Sequence, residues 1–159
     1  MSSKIRVLIA DDHPIFREGL ARIIEGNDKM ELVAAVENGM AALSTIENDP
    51  PDVVVLDVDM PELDGIETAK RIKSSWPDIQ IAFLTMHRNR SILQSMRRLQ
   101  VKGYVLKDAA MNEVVKTLRD AKLLSKSATG PKFLATKAPY VELAPATQPN
   151  KVRLKVSTH

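Results

Sequence analysis

The chain contains no cysteine and few aromatic side chains: one Trp, two Tyr and three Phe in 159 residues. Without cysteine it can form neither disulfide bonds nor thiolate metal sites. No apolar run approaches the roughly 20 residues that a transmembrane helix requires. The opening residues Met1 to Lys4 also lack the apolar core of a signal peptide. We therefore predict a soluble, cytoplasmic protein with no membrane partner.

Charge and proline are unevenly distributed along the chain. Residues 1–124 hold 17 Lys and Arg against 19 Asp and Glu, whereas residues 125–159 hold six against one. The same final segment contains four of the nine prolines and shows no apolar stripe at helical spacing. These differences predict a folded domain over residues 1–124, followed by a proline-rich, basic linker or tail over residues 125–159. Within the tail, Tyr140–Leu143 and Val152–Val156 are candidates for a short hairpin.

Short apolar runs alternate with helical patterns through residues 1–124. The predicted strands are Ile5–Ala10, Met30–Val36, Val53–Asp57, Gln80–Thr85 and Gly103–Lys107. The predicted helices are Pro14–Glu25, Met40–Asn48, Ile66–Ser75, a segment within Asn89–Leu99, and Asn112–Leu124. Because parallel strands need right-handed helical crossovers, this alternation predicts an α/β fold with a doubly wound sheet of five parallel strands and helices on both faces.

The strand Val53–Asp57 is the part of the sequence most informative about function. Three valines and a leucine lead directly into Asp57, as in a strand that is buried on both faces. A buried strand tolerates a charge only where it ends, so Asp57 should lie at the carboxyl edge of the sheet. Open α/β sheets bind their ligands at that edge.

Other strands also end in polar groups: Asp11 and Asp12 follow the first, Thr85 ends the fourth and Lys107 ends the fifth. Three neighbouring carboxylates repel one another, and a hard divalent cation such as Mg²⁺ relieves that repulsion. Thr85 can donate a hydrogen bond, and Lys107 can neutralise charge opposite the metal. The set implies a phosphoryl ligand with Asp57 as its nucleophile.

These motifs resemble the receiver domain of two-component response regulators. The resemblance covers roughly residues 4–124 and includes the acidic pair, the Asp57-x-x-Met-Pro-x-x-Asp64-Gly65 loop, Thr85 and Lys107. It implies a flavodoxin-like sheet with strand order 2-1-3-4-5. It also implies that Asp57 accepts a phosphoryl group from a sensor histidine kinase, and that the protein is a signalling switch rather than an enzyme with an external substrate.

The resemblance assigns roles to individual residues. The implied Mg²⁺ ligands are Asp11, Asp12, Asp57 and the backbone carbonyl of Asp59. Thr85 and Lys107 would contact the phosphoryl oxygens. Thr85 and Tyr104 would act together as a switch that reshapes the face formed by the fourth helix, fifth strand and fifth helix. A homodimer formed on phosphorylation is a further expectation.

The segments Ala10–Leu20 and Lys102–Ala109 are similar to receivers of the LuxR and NarL type, which carry a helix-turn-helix output. Residues 125–159 lack that helical pattern, so DNA becomes a partner only if an output domain is supplied elsewhere. One alternative is a DNA-binding transcriptional regulator that is truncated or altered after the receiver. A weaker alternative is a haloacid dehalogenase-type phosphatase, since Val53–Asp59 matches an apolar strand followed by Asp-x-Asp.

For several side chains the sequence predicts a structural role and no part in the site. His13 is assigned to a surface loop, Ile15 to the apolar stripe of the first helix, and Met40 and Met86 to core filling. Gln100 stands where related receivers commonly place glycine after the fourth helix. A left-handed backbone at Gln100 would cost about 1 kcal/mol, unless the helix ends differently.

Overall fold

A computed structural model describes residues 4–86, 90–101, 103–107, 140–143 and 152–155. Five parallel strands form one sheet in the order β2-β1-β3-β4-β5, which confirms the predicted flavodoxin-like fold. The strands are β1 (Ile5–Ala10), β2 (Met30–Val36), β3 (Val53–Asp57), β4 (Gln80–Thr85) and β5 (Gly103–Leu106). The helices are α1 (Pro14–Glu25), α2 (Gly39–Asn48), α3 (Gly65–Ser75) and α4 (Arg90–Arg98). The predicted helix over residues 112–124 lies outside the described residues.

The core consists of two apolar clusters, one on each face of the sheet. In β3, Val53 and Val55 belong to the cluster that includes Leu20 and Ile24 of α1. Val54 and Leu56 belong to the other cluster, to which α2, α3 and α4 contribute. Successive side chains of a strand point to opposite faces, so every apolar residue of β3 is buried. Each buried valine or leucine side chain stabilises the fold by about 1.5–3 kcal/mol. Together these side chains hold β3 in place, and Asp57 is therefore held at its end.

Three side-chain predictions are wrong. Ile15 is 89% exposed, and Met40 and Met86 are also exposed. Ile15 lies in the first turn of α1 on the opposite side of the helix from the buried Ile24, whereas the next residue, Phe16, packs against the core. Met40 likewise lies at the start of α2, and Met86 follows the last residue of β4. Gly39, which precedes Met40, is buried, so exposure at these positions depends on the direction in which the side chain leaves the backbone.

The remaining described strands, β6 (Tyr140–Leu143) and β7 (Val152–Lys155), pair antiparallel as a two-stranded sheet. The structure therefore confirms the predicted hairpin pairing. Among the described residues, none of the helices combines the length and apolar character that a membrane crossing would need.

Gln100 ends α4 in the left-handed conformation, with a φ of 57°. The Val101 amide donates to the Met96 carbonyl at 2.8 Å, and the Gln100 amide donates to the Arg97 carbonyl at 3.1 Å. These two bonds form a Schellman motif, and the buried side chains of Met96 and Val101 provide its usual apolar contact. The helix thus ends as it does in proteins with glycine here, although Gln100 carries a Cβ.

We expect Gln100→Gly to raise the free energy of unfolding by about 1 kcal/mol, because glycine adopts positive φ without steric cost. The measurement is urea denaturation followed by circular dichroism. Gln94→Gly is the matched control, since Gln94 is exposed in the interior of α4. This substitution should lower the free energy of unfolding by about 1 kcal/mol. Destabilisation by both substitutions would contradict the expectation.

Candidate metal and phosphoryl site

Asp57 is the last residue of β3 and its side chain is only 2% exposed. Parallel pairing places it opposite Leu84 of β4, and the Val58 amide continues the sheet by donating to the Leu84 carbonyl at 3.0 Å. Gly65 packs on the backbone of Asp57 so closely that a Cβ at position 65 would overlap the Asp57 carbonyl oxygen. The chain therefore needs glycine at the start of α3 to hold the carboxylate at the sheet edge.

The acidic pair lies beside Asp57 because β1 and β3 are neighbours in register, with Ala10 opposite Leu56. Asp11 is fully buried and Asp12 is partly exposed. One ligand atom each from Asp11, Asp12, His13 and Asp57 lies within 4.8 Å of the others. The structure thus brings together all three carboxylates that the sequence predicts to meet.

Lys107 follows β5, and its ammonium lies among these acids. Its Nζ is 2.9 Å from Asp11 Oδ1, 3.0 Å from Asp57 Oδ2 and 2.8 Å from His13 Nδ1. An ammonium has three donors, and here each has an acceptor. Nζ also lies 5.3 Å from the centroid of the Phe16 ring, within the range of a cation–π contact. With 4% of its side chain exposed, Lys107 is a buried counterion of two buried carboxylates.

Burial raises the pKa of Asp57 to about 7 from an ordinary 3.8, against the opposing hydrogen bond from Lys107. The negative charge of Asp11 raises this pKa further, whereas the charge of Lys107 and the Asp59 amide lower it. Desolvation disfavours the charged form of a carboxyl group, so ionised Asp57 is held at a cost. A positive charge added at this site would favour the ionised form.

The other predicted site residues lie at different distances from the cluster. Thr85 is the buried last residue of β4, one position beyond Leu84, and its carbonyl accepts from the Lys107 amide at 2.9 Å. The Asp59 amide donates to Asp57 Oδ1 at 3.1 Å, but its own side chain is exposed. Tyr104 pairs with Phe83 and is buried in the core cluster shared with α4.

His13, which the sequence analysis assigns to a surface loop, belongs to the cluster. Its Nδ1 lies 3.1 Å from Asp11 Oδ1 and 3.3 Å from Asp12 Oδ1. The available signal is its position directly after the acidic pair and before Pro14, which begins α1. A residue between a strand end and a helix start stays at the sheet edge, whatever its exposure.

The donor set fits a hard divalent cation. Asp11 Oδ2 is buried and has no hydrogen-bond partner among the residues that the structure describes. A buried carboxylate oxygen without a partner costs free energy, which a bound cation would recover. Carboxylate oxygens are the ligands that Mg²⁺ prefers.

Comparison with known proteins identifies the family of this chain. Residues 7–119 match the family described as the response regulator receiver domain. The chain belongs to this family, as the resemblance in its motifs implied. It is close to the regulators of the NarL and LuxR type. This assignment favours the receiver interpretation over the haloacid dehalogenase alternative.

Two of the similar proteins are named as regulators. The chain is 31% identical to the transcriptional regulatory protein DegU of Brevibacillus brevis over 74% of this chain and 50% of that protein. A nitrate/nitrite response regulator homologue of Haemophilus influenzae is 31% identical over 75% of this chain and 57% of its own length. The chain thus spans about half the length of these regulators.

Solved receiver structures share the fold. The signal receiver domain of NarL from Mycobacterium tuberculosis superimposes with a TM-score of 0.72 at 32% identity, covering 77% of this chain and 98% of that chain. The isolated receiver of RcsB from Salmonella enterica, solved with the phosphomimetic BeF3⁻, gives 0.67 at 32% identity and covers 74% and 87%.

Proposed function

We propose that this chain is a phosphoacceptor switch in which Asp57 takes a phosphoryl group from a sensor histidine kinase. The observation that carries the proposal is the contact of Asp57 with Lys107 at 3.0 Å, beside Asp11 and Asp12 at one sheet edge. Family membership supports the same role, because the motif residues of receivers occur here at the ends of neighbouring strands.

In the transfer, a carboxylate oxygen of Asp57 forms a bond to phosphorus while the bond from phosphorus to the kinase imidazole nitrogen breaks. The departing imidazole takes up a proton. Asp11, Asp12, Asp57 and the Asp59 carbonyl would hold Mg²⁺, which supplies charge neutralisation at the phosphoryl oxygens. Lys107 and the Thr85 hydroxyl would contact the same oxygens. Hydrolysis of the acyl phosphate returns Asp57 to its free carboxylate.

The switch we propose runs from Thr85 to Tyr104. Both residues are buried, and β4 and β5 are paired, with Thr85 opposite Leu106 and Phe83 opposite Tyr104. A shift of the Thr85 side chain toward a phosphoryl group would change the space available to the Tyr104 ring beside α4. A partner or a second copy of the chain would bind the altered face, the fifth helix being outside the described residues.

The output is also a proposal. Relatives such as DegU are named transcriptional regulators, so control of transcription is the favoured outcome, with DNA as a partner only through an output domain. The division into a receiver over residues 1–124 and a linker or tail over residues 125–159 stays a prediction, as does the cytoplasmic location.

Intact-mass measurement after incubation with acetyl phosphate and Mg²⁺ tests the proposal. We expect the wild-type chain to gain the mass of one phosphoryl group, and Asp57→Asn to gain none. Asp59→Asn is the matched control, because that carboxylate is exposed and only its backbone serves the site. Chelation of the metal with EDTA should abolish the gain. Modification of Asp57→Asn, or equal modification with EDTA, would refute the proposal.

A further inference from the structure

The imidazole of His13 lies at ligand distance from the carboxylates of the site. Its Nδ1 is 3.1 Å from Asp11 Oδ1, 3.3 Å from Asp12 Oδ1 and 3.7 Å from Asp57 Oδ2. Adjacent ligands of an octahedral ion with bonds of about 2.1 Å are about 3 Å apart. The nitrogen and the oxygens of the acidic pair are therefore spaced like neighbouring ligands of one ion.

The lone pair of Nδ1 already faces a positive charge. Lys107 Nζ lies 2.8 Å from it, and an ammonium can only donate, so Nδ1 is the acceptor in this contact. The ammonium shares this acceptor with Asp11 and Asp57, as a metal cation would. His13 therefore directs the lone pair of Nδ1 toward a position that a cation can occupy.

The ring is also free of a structural role in α1. His13 occupies the N-cap position, yet within the described chain its side chain makes no capping hydrogen bond. With 59% of the side chain exposed, it fills no core space. Among the described residues, its polar side-chain contacts are with Lys107 and the carboxylates of the site.

We propose that His13 Nδ1 is a further ligand of the divalent cation at this site. With this ligand the site binds a transition metal that accepts nitrogen, such as Mn²⁺, more tightly than it binds Mg²⁺. The inference rests on the metal site of the proposed function and specifies which ion it prefers. Mn²⁺ shares the preference of Mg²⁺ for carboxylate oxygens, but as a transition metal it also accepts an imidazole nitrogen, whereas Mg²⁺ favours oxygen ligands and retains water. Replacing the nitrogen should thus weaken Mn²⁺ binding selectively.

Pulsed electron paramagnetic resonance of Mn²⁺ bound to the full chain tests the ligand directly. We expect ¹⁴N modulation in the wild type, its replacement by a ¹⁵N pattern after ¹⁵N-histidine labelling, and its loss in His13→Gln. His159→Gln is the matched control and should keep the signal. In titrations, His13→Gln should weaken Mn²⁺ binding about tenfold, while Mg²⁺ binding, measured by competition, should change less than about twofold.

A wild-type Mn²⁺ complex without nitrogen modulation would overturn the inference, and so would modulation that persists in His13→Gln. Parallel weakening of Mn²⁺ and Mg²⁺ in His13→Gln would also overturn it. If these results accompany Mg²⁺-dependent phosphorylation of Asp57, only the ligand assignment fails. If neither ion binds and Asp57 is not modified, the proposed function fails with it.

Discussion

Asp57→Asn is expected to raise the free energy of unfolding of the metal-free protein by up to about 4 kcal/mol near pH 8, with no gain near pH 4. The cause is the buried carboxylate. Burial raises the pKa of Asp57 to about 7 from an ordinary 3.8. Between these values the folded chain binds a proton that the unfolded chain has released, so wild-type stability falls as the pH rises. Asparagine carries no charge and avoids this loss.

The magnitude follows from the shift and from what asparagine replaces. A difference of about three pKa units corresponds to about 4 kcal/mol at high pH. The pKa of about 7 already includes the opposing hydrogen bond from Lys107, so that bond is not subtracted again. The amide keeps one oxygen to which Lys107 can donate, and the gain near pH 8 should therefore approach the value that the shift implies.

Urea unfolding with EDTA at several pH values measures the effect. The Asp57→Asn gain should appear as the pH rises through the range from about 4 to about 7 and level off above it. Asp59→Asn is the control, because its side chain is exposed and its stability should follow that of the wild type. A gain that is the same at low and high pH, or a loss near pH 8, would contradict the assignment of the charge cost to Asp57.

The sequence predicts the fold well because the apolar patterns of its strands and helices are clearest in the segments that form the core. Val53–Asp57 can only be a strand covered on both faces, and α3 begins at Gly65 behind the cap Asp64, whose Oδ1 accepts from the Glu67 amide at 2.8 Å. Once parallel strands are inferred, their carboxyl ends must meet at one edge. The convergence of Asp11, Asp57 and Lys107 follows from topology alone.

The sequence does not predict contacts that depend on side-chain direction at element ends. Periodicity assigns Ile15 to the core stripe, but Ile15 lies on the opposite side of α1 from the buried Ile24 and is exposed. Residue type assigns His13 to the surface, and its exposure agrees, yet Nδ1 contacts the cluster. An imidazole at a sheet edge can be exposed to solvent and still contact the site. The periodicity of the sequence does not indicate the direction in which this side chain points.

Lys107→Met is expected to lower the free energy of unfolding of the metal-free protein by about 3 kcal/mol near pH 8. Methionine preserves the length of the side chain but removes the ammonium that pairs with Asp11 and Asp57 at 2.9 and 3.0 Å. Breaking a buried ion pair leaves an uncompensated charge, which costs about 3–5 kcal/mol. Asp57 can take up a proton, so the loss should be smaller near pH 5.

Thermal unfolding with and without Mg²⁺ measures this loss and its recovery. A bound divalent cation would supply the missing positive charge, so Mg²⁺ should raise the melting temperature of Lys107→Met more than that of the wild type. Lys70→Met is the control, because the Lys70 pair with Glu67 is exposed and 3.8 Å long, and its removal should change stability by less than about 0.5 kcal/mol. Equal effects of the two lysine substitutions would contradict a buried counterion at position 107.

The double variant Lys107→Met with Asp57→Asn isolates the contact between these two residues. In the Asp57→Asn background, removal of the ammonium leaves only Asp11 without its counterion, so Lys107→Met should cost less there than in the wild type. We expect a coupling free energy of about 1–3 kcal/mol from the cycle of four proteins near pH 8, with a smaller value near pH 4, where Asp57 is protonated. Additive effects would mean that the 3.0 Å contact contributes nothing to stability, and the buried lysine would then act through Asp11 alone.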